Sequence, residues 1–452
     1  MKRIFIVSVF FFMLFHHAFA EVASDSSDPA IVRTEYTLED LYAIALERSE
    51  RVGIARQNLS IAERGKEKAV SSLLPRATAF GDYTRYSEEK KASGDEGGFT
   101  IQPESSSSWG MRLDQSISLG GRELTNLRIS KEAIESSRYD LYTIREDYVL
   151  TVAASFYDVL SASKAVDISK ANVQRLTKYR DDATTRLKVG EVTKTAVLRA
   201  EAELSGAQSD LIRAENVLSL AKAVLARIVG LQGDFDLRET NGAGDITASS
   251  TGGLEQLSAL KDEAIRERSD LKSARLQELI AKDQVKYAKG SYWPTLSFEG
   301  VYLQREEEPS SSFFNDESTY GILRLEFPFF EGGLRKAEVG EAQARKMQAR
   351  LSHDDLRKTV AIDVETAYLE LKTQIGTLKS LEDQLKFARE NYDAVSKQFT
   401  FGLATSIDVI DANTLLLESE RQLIRAQYGY KLALLKLQRA TGTLLKTVNS
   451  KQ

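Results

Sequence analysis

The side chains that carry most enzymatic chemistry are nearly missing from this chain. It has no Cys, so no disulfide, thiolate metal site, cysteine nucleophile or lipidated cysteine can form. Of its three His, His16 and His17 sit together near the N-terminus, and His353 stands beside Asp354 and Asp355, where a solvated surface residue is expected. No phosphate loop and no metal-ligand spacing occurs, so neither an enzyme nor a cofactor is expected. Asp408 and Asp411 stand at the start of the segment that follows Gly402. Thr405 to Asp408 has capping-box spacing, with Asp where Glu or Gln is more usual. Acids in a first helical turn gain about 0.3–1 kcal/mol from the helix dipole. Their first chemistry is therefore to start a helix.

That helix begins just after Gly402, which separates two apolar seams. Before it, Val364, Leu371, Leu378, Leu385, Tyr392 and Phe399 recur every seven residues, with Leu381, Ala388 and Val395 between them. After it come Val409, Leu416, Leu423, Tyr430 and Leu437. This is the a/d pattern of helices packed knobs-into-holes. Shifting back by 212 residues places Gly402 on Gly190 and the later seam on Val197, Leu204, Leu211, Leu218 and Leu225. The earlier seam falls on Val152, Val159, Val166, Val173, Arg180 and Leu187. The chain thus reads as an internal duplication, with repeats 36–231 and 254–444 joined by 232–253.

The N-terminus reads as a secretory signal over residues 1–20. Lys2 and Arg3 precede an apolar core and Ala18-Phe19-Ala20, a small-x-small cleavage pattern. The core is too short to span a bilayer as a helix. Losing Lys2 and Arg3 takes the net charge from −5 to −7, which argues against a nucleic-acid partner. A single exported body over residues 21–452 is expected.

In each repeat two amphipathic segments end at a proline, Pro75 or Pro294, where helical geometry is disfavoured. The period then drops to two. Leu296, Phe298, Gly300 and Tyr302 alternate with Ser297, Glu299 and Val301; Leu323, Leu325, Phe327 and Phe329 alternate with Arg324, Glu326 and Pro328. Trp109, Met111, Leu113 and Ile117 alternate likewise, whereas Phe80 breaks the alternation of 76–86. Each segment reaches about the 9–11 residues of a tilted membrane strand. The polar connections 87–108 and 306–318 suit the long loops of an outer-membrane barrel. A soluble hairpin with one buried face gives the same alternation.

After Gly120-Gly121 and Gly332-Gly333 the long helices begin, the first spanning about 100 Å over 121–188. Each repeat becomes a rod with a hairpin at one end and the Gly190 or Gly402 turn at the other. Four strands cannot close a barrel in lipid, where unpaired backbone groups cost several kcal/mol each. Two copies give eight strands, filled by side chains; three give twelve, wide enough for water.

At this point the chain resembles the TolC family of outer-membrane efflux channels over essentially its mature length. The likeness rests on Leu38 to Leu46, on Ser72-Leu73-Leu74-Pro75, on Phe327-Pro328-Phe329-Phe330-Glu331-Gly332-Gly333, and on Phe401-Gly402 leading into Asp408-Val409-Ile410-Asp411-Ala412. The resemblance implies a mostly α fold with a transmembrane β-hairpin pair, trimerising into a 12-stranded β-barrel continued by an α-helical barrel through the periplasm. It implies a passive exit duct for efflux or type I secretion, working with a periplasmic adaptor (membrane fusion) protein and an inner-membrane pump of the RND, ABC or MFS class. It places a periplasmic gate at Asp408, Asp411 and Phe399, and adaptor-docking tips at Val189, Gly190, Phe401 and Gly402, with Lys188 and Lys194 nearby. Relatives carry an Arg where this chain has Ala404, and Ala196 and Arg199 replace the two acids in the first repeat. The competing reading is a periplasmic coiled-coil adaptor or scaffold without a pore.

Overall fold

The computed structural model describes residues 35–92, 99–239, 257–310 and 315–449. The expected signal, 1–20, and most of the connector, 240–253, lie outside them. The chain opens with strand β1 (Glu35–Tyr36), helix α1 (Leu38–Arg48) and helix α2 (Glu50–Ser71). Thr37 and Asp40 cap α1 reciprocally, and its Leu38, Leu41, Tyr42 and Ala45 are buried. Strand β2 (Arg76–Arg85), a short hairpin of β3 (Lys90–Ala92) and β4 (Phe99–Gln102), and strand β5 (Ser105–Ser118) follow. Then come α3 (Arg122–Lys188), α4 (Lys194–Val229) and β6 (Asp236–Leu237), which pairs in parallel with β1. The second half has α5 (Leu257–Glu267), α6 (Ser269–Lys289), a 3-10 turn (Gly290–Tyr292), β7 (Thr295–Glu308), β8 (Glu317–Glu326), α7 (Leu334–Thr400), α8 (Ser406–Thr441) and α9 (Leu444–Asn449).

The seams place the helix ends closely: α3 and α7 are each 67 residues, α4 and α8 each 36. Helix α3 packs along α4, and α7 along α8; α6 lies against both long helices, and α3 meets α8 between the halves. The largest core cluster joins Leu41, Val52, Val152, Phe156, Leu225 and Leu444; a second joins Val360, Val364, Leu371 and Leu437. One 18-residue window of α3 has the length and composition of a membrane span, but half of it is buried inside the protein, as in the core helix of a folded body.

Charged groups pin the halves where α8 ends. Arg268, 5% exposed, donates to Asp270 at 2.6 and 3.0 Å and to Asp363 at 2.9 Å. Arg439 donates to Asp147 at 2.6 Å. Burial alone would raise the Asp270 carboxyl, but the hydrogen bonds and charge of Arg268 outweigh it and hold it below the usual range. Glu146, next to Asp147, is pushed up by burial. Gly442 ends α8 at φ +76, and a Cβ there would come within 2.9 Å of the Arg268 backbone, so the close approach needs glycine.

The sheet has the antiparallel order β2-β5-β7-β8. Its register puts Ala79, Met111, Tyr302 and Thr319 in one cross-strand row, and Leu113 beside Gly300 and Gly321. That face also carries Trp109, Ile117, Phe298, Leu323 and Leu325, all exposed. The opposite face carries Arg76, Arg112, Asp114, Glu299 and Arg324, with an Arg112–Asp114 ion pair at 3.1 Å. One face apolar and exposed, the other charged, is the pattern of a lipid-facing and lumen-facing wall.

The out-of-phase Phe80 has a packing reason. It stands opposite Gly110, and a Cβ on Gly110 would lie 2.9 Å from its ring and 2.2 Å from the Tyr302 carbonyl oxygen. The ring covers the gap that the glycine leaves. Four strand boundaries differ from expectation. Strands β5, β7 and β8 run into the segments read as loops, because backbone pairing continues along Ser105↔Glu308 and Gln304↔Glu317. A small hairpin, β3 with β4, occupies part of the first loop. Phe327 and Phe329 lie beyond β8, which stops at Glu326; Pro328 has no N–H to give a ladder.

Candidate functional site

The end of the rod away from the sheet holds the acids read from the sequence. Here α3 turns into α4 through Gly190, φ +80, and α7 into α8 through Gly402, φ +72. The two turns face each other across a cleft of about 640 Å³, lined by Arg186, Glu191, Arg199, Phe399, Phe401 and Ser406 among others. Beneath it an apolar cluster joins both halves: Leu176, Tyr179 and Leu204 from the first, Phe399, Val409 and Ile410 from the second.

Polar bonds stitch this cluster shut. Arg186, only 16% exposed at its side chain, donates from Nη1 to the Phe399 carbonyl at 2.7 Å and from Nη2 to the Thr400 carbonyl. Its guanidinium lies 5.0 Å from the centre of the Phe399 ring, which packs 5.3 Å from that of Tyr179. The Tyr179 hydroxyl bonds the Ser406 hydroxyl. The last carbonyls of a helix lack intrahelical donors; Arg186, from another helix, supplies two for α7. Higher up, Asn413 donates to Asn172 at 2.8 Å, and Arg175 bonds Asn413 at 3.0 Å and Glu420 at 3.2 Å.

Asp408 closes a capping box: its Oδ2 accepts from Thr405 N and Oγ1, each at 2.7 Å, and Thr405 Oγ1 accepts from Asp408 N at 3.4 Å. The Thr405 side-chain bond first, then the backbone bond, holds its carboxyl below the usual range. Asp408 and Asp411 are exposed on α8, while Phe399 is buried against the neighbouring half. At the turns Val189 is 69%, Phe401 78% and Leu403 79% exposed, so each tip presents apolar surface. Ala404 packs on the cluster, and Ala196 and Arg199 line the cleft. No group of metal-binding side chains is found among the described residues.

The model of the outer membrane efflux protein family matches residues 41–231 and 260–443. The chain belongs to the outer membrane efflux protein family. It is a transport channel of the outer membrane that reaches into the periplasm, and no enzyme. The pore-less adaptor reading is thereby set aside. Among relatives, the outer membrane protein TolC of Escherichia coli is 24% identical over 83% of this chain and 76% of its own length. The alkaline protease secretion protein AprF of Pseudomonas aeruginosa is 22% identical over 66% of this chain and 62% of its own. In fold, the Vibrio cholerae outer membrane protein VceC matches with a TM-score of 0.75 at 17% identity, covering 90% of this chain and 96% of that one. The open state of the Neisseria gonorrhoeae MtrE channel gives 0.71 at 19%, covering 90% and 89%.

In this outer membrane efflux protein, Ala404 on the second turn stands where the family resemblance implies an Arg in relatives. The guanidinium that ties the two turns together is Arg186, from the last turn of α3. Its signal was ambiguous, since a basic residue in a last turn complements its own helix dipole. Tyr179 and Ser406 were missed as well, being 227 residues apart.

Proposed function

We propose that the protein works as a homotrimeric exit duct for efflux or secretion, closed at rest at its periplasmic mouth and opened by a periplasmic adaptor with its inner-membrane pump. The signal at residues 1–20 would export it, and repeats 36–231 and 254–444 would each give two strands and one rod. The observation that carries this reading is the pair of free sheet edges. Strands β2 and β8 are each ten residues long, run antiparallel to their neighbours, and have one side unpaired among the described residues. A β8 edge from one copy therefore fits the β2 edge of the next, and three copies close twelve strands. The helical layer has matching edges: α4 exposes Leu198, Ile212 and Leu220, and α7 exposes Ile362, Leu369 and Phe387. Head-to-tail contacts of this kind close into a ring.

The Cys-free chain makes a clean test. Single cysteines at Ala79 and Leu323, on the lipid face of the two edge strands, are expected to give a covalent ladder ending at trimer in outer-membrane extracts. A soluble monomer without cross-links overturns the reading.

In this trimer Asp408 and Asp411 repeat three times around the mouth, Phe399 locks the coil, and the tips at Val189-Gly190 and Phe401-Gly402 receive the adaptor. Like charges gathered by symmetry attract cations. Asp408→Asn with Asp411→Asn is expected to weaken divalent-cation block of single-channel current in planar bilayers about tenfold or more, since each tenfold is about 1.4 kcal/mol. Unchanged block removes both acids from the gate. The wild-type block should itself fade on acidification; Asp408, held below the usual carboxylate range by Thr405, keeps its charge to lower pH than an ordinary aspartate.

A further inference from the structure

The face of the sheet opposite the lipid side should be polar throughout if it lines water. Toward the helices it is: one row holds Arg76, Asp114 and Glu299, and the next Ser116, Ser297 and Arg324. Toward the loops a row holds Asp82, Ser108 and Arg305. Between them two rows break the rule. One joins Phe80, Gly110 and Leu303; the other holds Val301 and Tyr320; Ile322 stands beside Glu299 just below. Arg112 falls in the second of these rows but turns to Asp114, with which it pairs at 3.1 Å. Apolar and aromatic side chains thus occupy the middle of the wall, with charge on either side.

The Phe80 ring reaches sideways over β5: a Cβ on Gly110 would meet its Cζ at 2.9 Å. It therefore lies along the sheet, with one face on the glycine and the other free. Val301 is 5% exposed although a single layer of sheet stands behind it, so the side chains around it close over it. Tyr320 stays 46% exposed. None of these residues belongs to the apolar clusters of the helical body among the described residues. Phe80 lies on β2 and Tyr320 on β8, the two edge strands, so each join between copies carries an aromatic from both sides. Twelve strands about 4.8 Å apart and tilted about 40° enclose about 24 Å between backbones. Facing aromatic side chains reduce that to about 12 Å, a wet passage in which a small organic molecule runs along the wall.

We propose that this collar is a transient binding site for aromatic amphipathic small molecules leaving through the duct. It rests on the trimeric channel read above, and adds which cargo the wall favours. The rings and aliphatic side chains take up a flat apolar body by stacking and burial. A charged end of either sign finds an opposite charge one row away, about 7 Å along a strand: Arg76 or Glu299 below, Asp82 or Arg305 above. Three equivalent sites that each bind weakly let the molecule enter and leave.

The test records single channels of the full-length chain in planar bilayers, with probes added on the barrel side so that the mouth is not in their path. Naphthylmethyl-trimethylammonium is expected to block the current at a concentration at least tenfold below that of tetramethylammonium, and naphthalene-2-sulfonate at least tenfold below methanesulfonate. Phe80→Ala with Tyr320→Ser should remove that advantage for both signs of charge. Because Phe80 also covers Gly110, Tyr320→Ser alone serves where the pair fails to assemble, and should reduce the advantage at least threefold. Equal block by aromatic and small ions, an advantage confined to one sign of charge, or an advantage unchanged in Tyr320→Ser overturns the proposal. Trimer yield and unblocked conductance, measured on the same preparations, report separately on the channel reading.

Discussion

Arg186→Gln is expected to leave the proposed periplasmic mouth of the channel leaking. The wild-type guanidinium donates to the Phe399 and Thr400 carbonyls and lies against the Phe399 ring, tying the end of α7 to the end of α3. Hydrogen bonds to a charged group are worth about 1.5–3 kcal/mol each. Gln is too short to reach both carbonyls and has no charge. Taking only about 1.4 kcal/mol per protomer, and requiring three protomers to move together, the closed state loses about a thousandfold of its advantage. Planar-bilayer recordings at neutral pH should therefore show long-lived open events absent from wild type, and cells should become sensitive to a large antibiotic normally kept out. Arg186→Lys, which retains charge and loses the fork, should fall between. A silent Gln variant would leave the apolar cluster around Leu176 and Val409 as the lock. Tyr179→Phe tests the neighbouring bond, which is neutral and should matter less.

The contrast between Arg186 and Asp408 shows what a sequence carries. Asp408 sits three residues from Thr405, and their bond is local, so spacing alone announces it. The seam residues do the same over longer stretches: a seven-residue repeat can be satisfied only by long helices, which is why the ends of α3 and α7 were legible to within a residue. Prolines 75 and 294 likewise set the start of strands through backbone geometry. Arg186, Tyr179, Asn172 and Asn413 act across more than 210 residues. Nothing periodic links them, because one polar pair per interface leaves no repeat. Strand lengths fell between these cases. Alternation marked where the apolar face lies, but Ser105–Ser108 and Arg305–Glu308 are polar on both faces, and only their backbone bonds make them strand. Phe80 looked like an error of pattern until Gly110 appeared opposite it.

The largest effect on stability is expected at Arg268, far from either cleft. Its guanidinium is buried, holds Asp270 through two bonds, and reaches Asp363 on α7. Arg268→Met keeps the volume and leaves a carboxylate without its partner. Breaking a buried pair in this way costs about 3–5 kcal/mol; Asp363 is nearly half exposed, so solvent screens that branch and about 3 kcal/mol is the better figure. Loss of helical circular dichroism should begin at lower urea in the variant, with trimers still formed at low temperature. The pH dependence carries a sign. Asp270 is held below its unfolded value, so its contribution is complete above the ordinary aspartate range and disappears as pH falls through the folded value. Wild type and Arg268→Met should therefore differ most near neutrality and converge in acid. Glu146 acts oppositely: raised by burial, it favours folding when protonated, and relaxes part of its cost as the solution is acidified. A gap between wild type and variant that stays constant down to strong acid would mean that Arg268 contributes by packing alone.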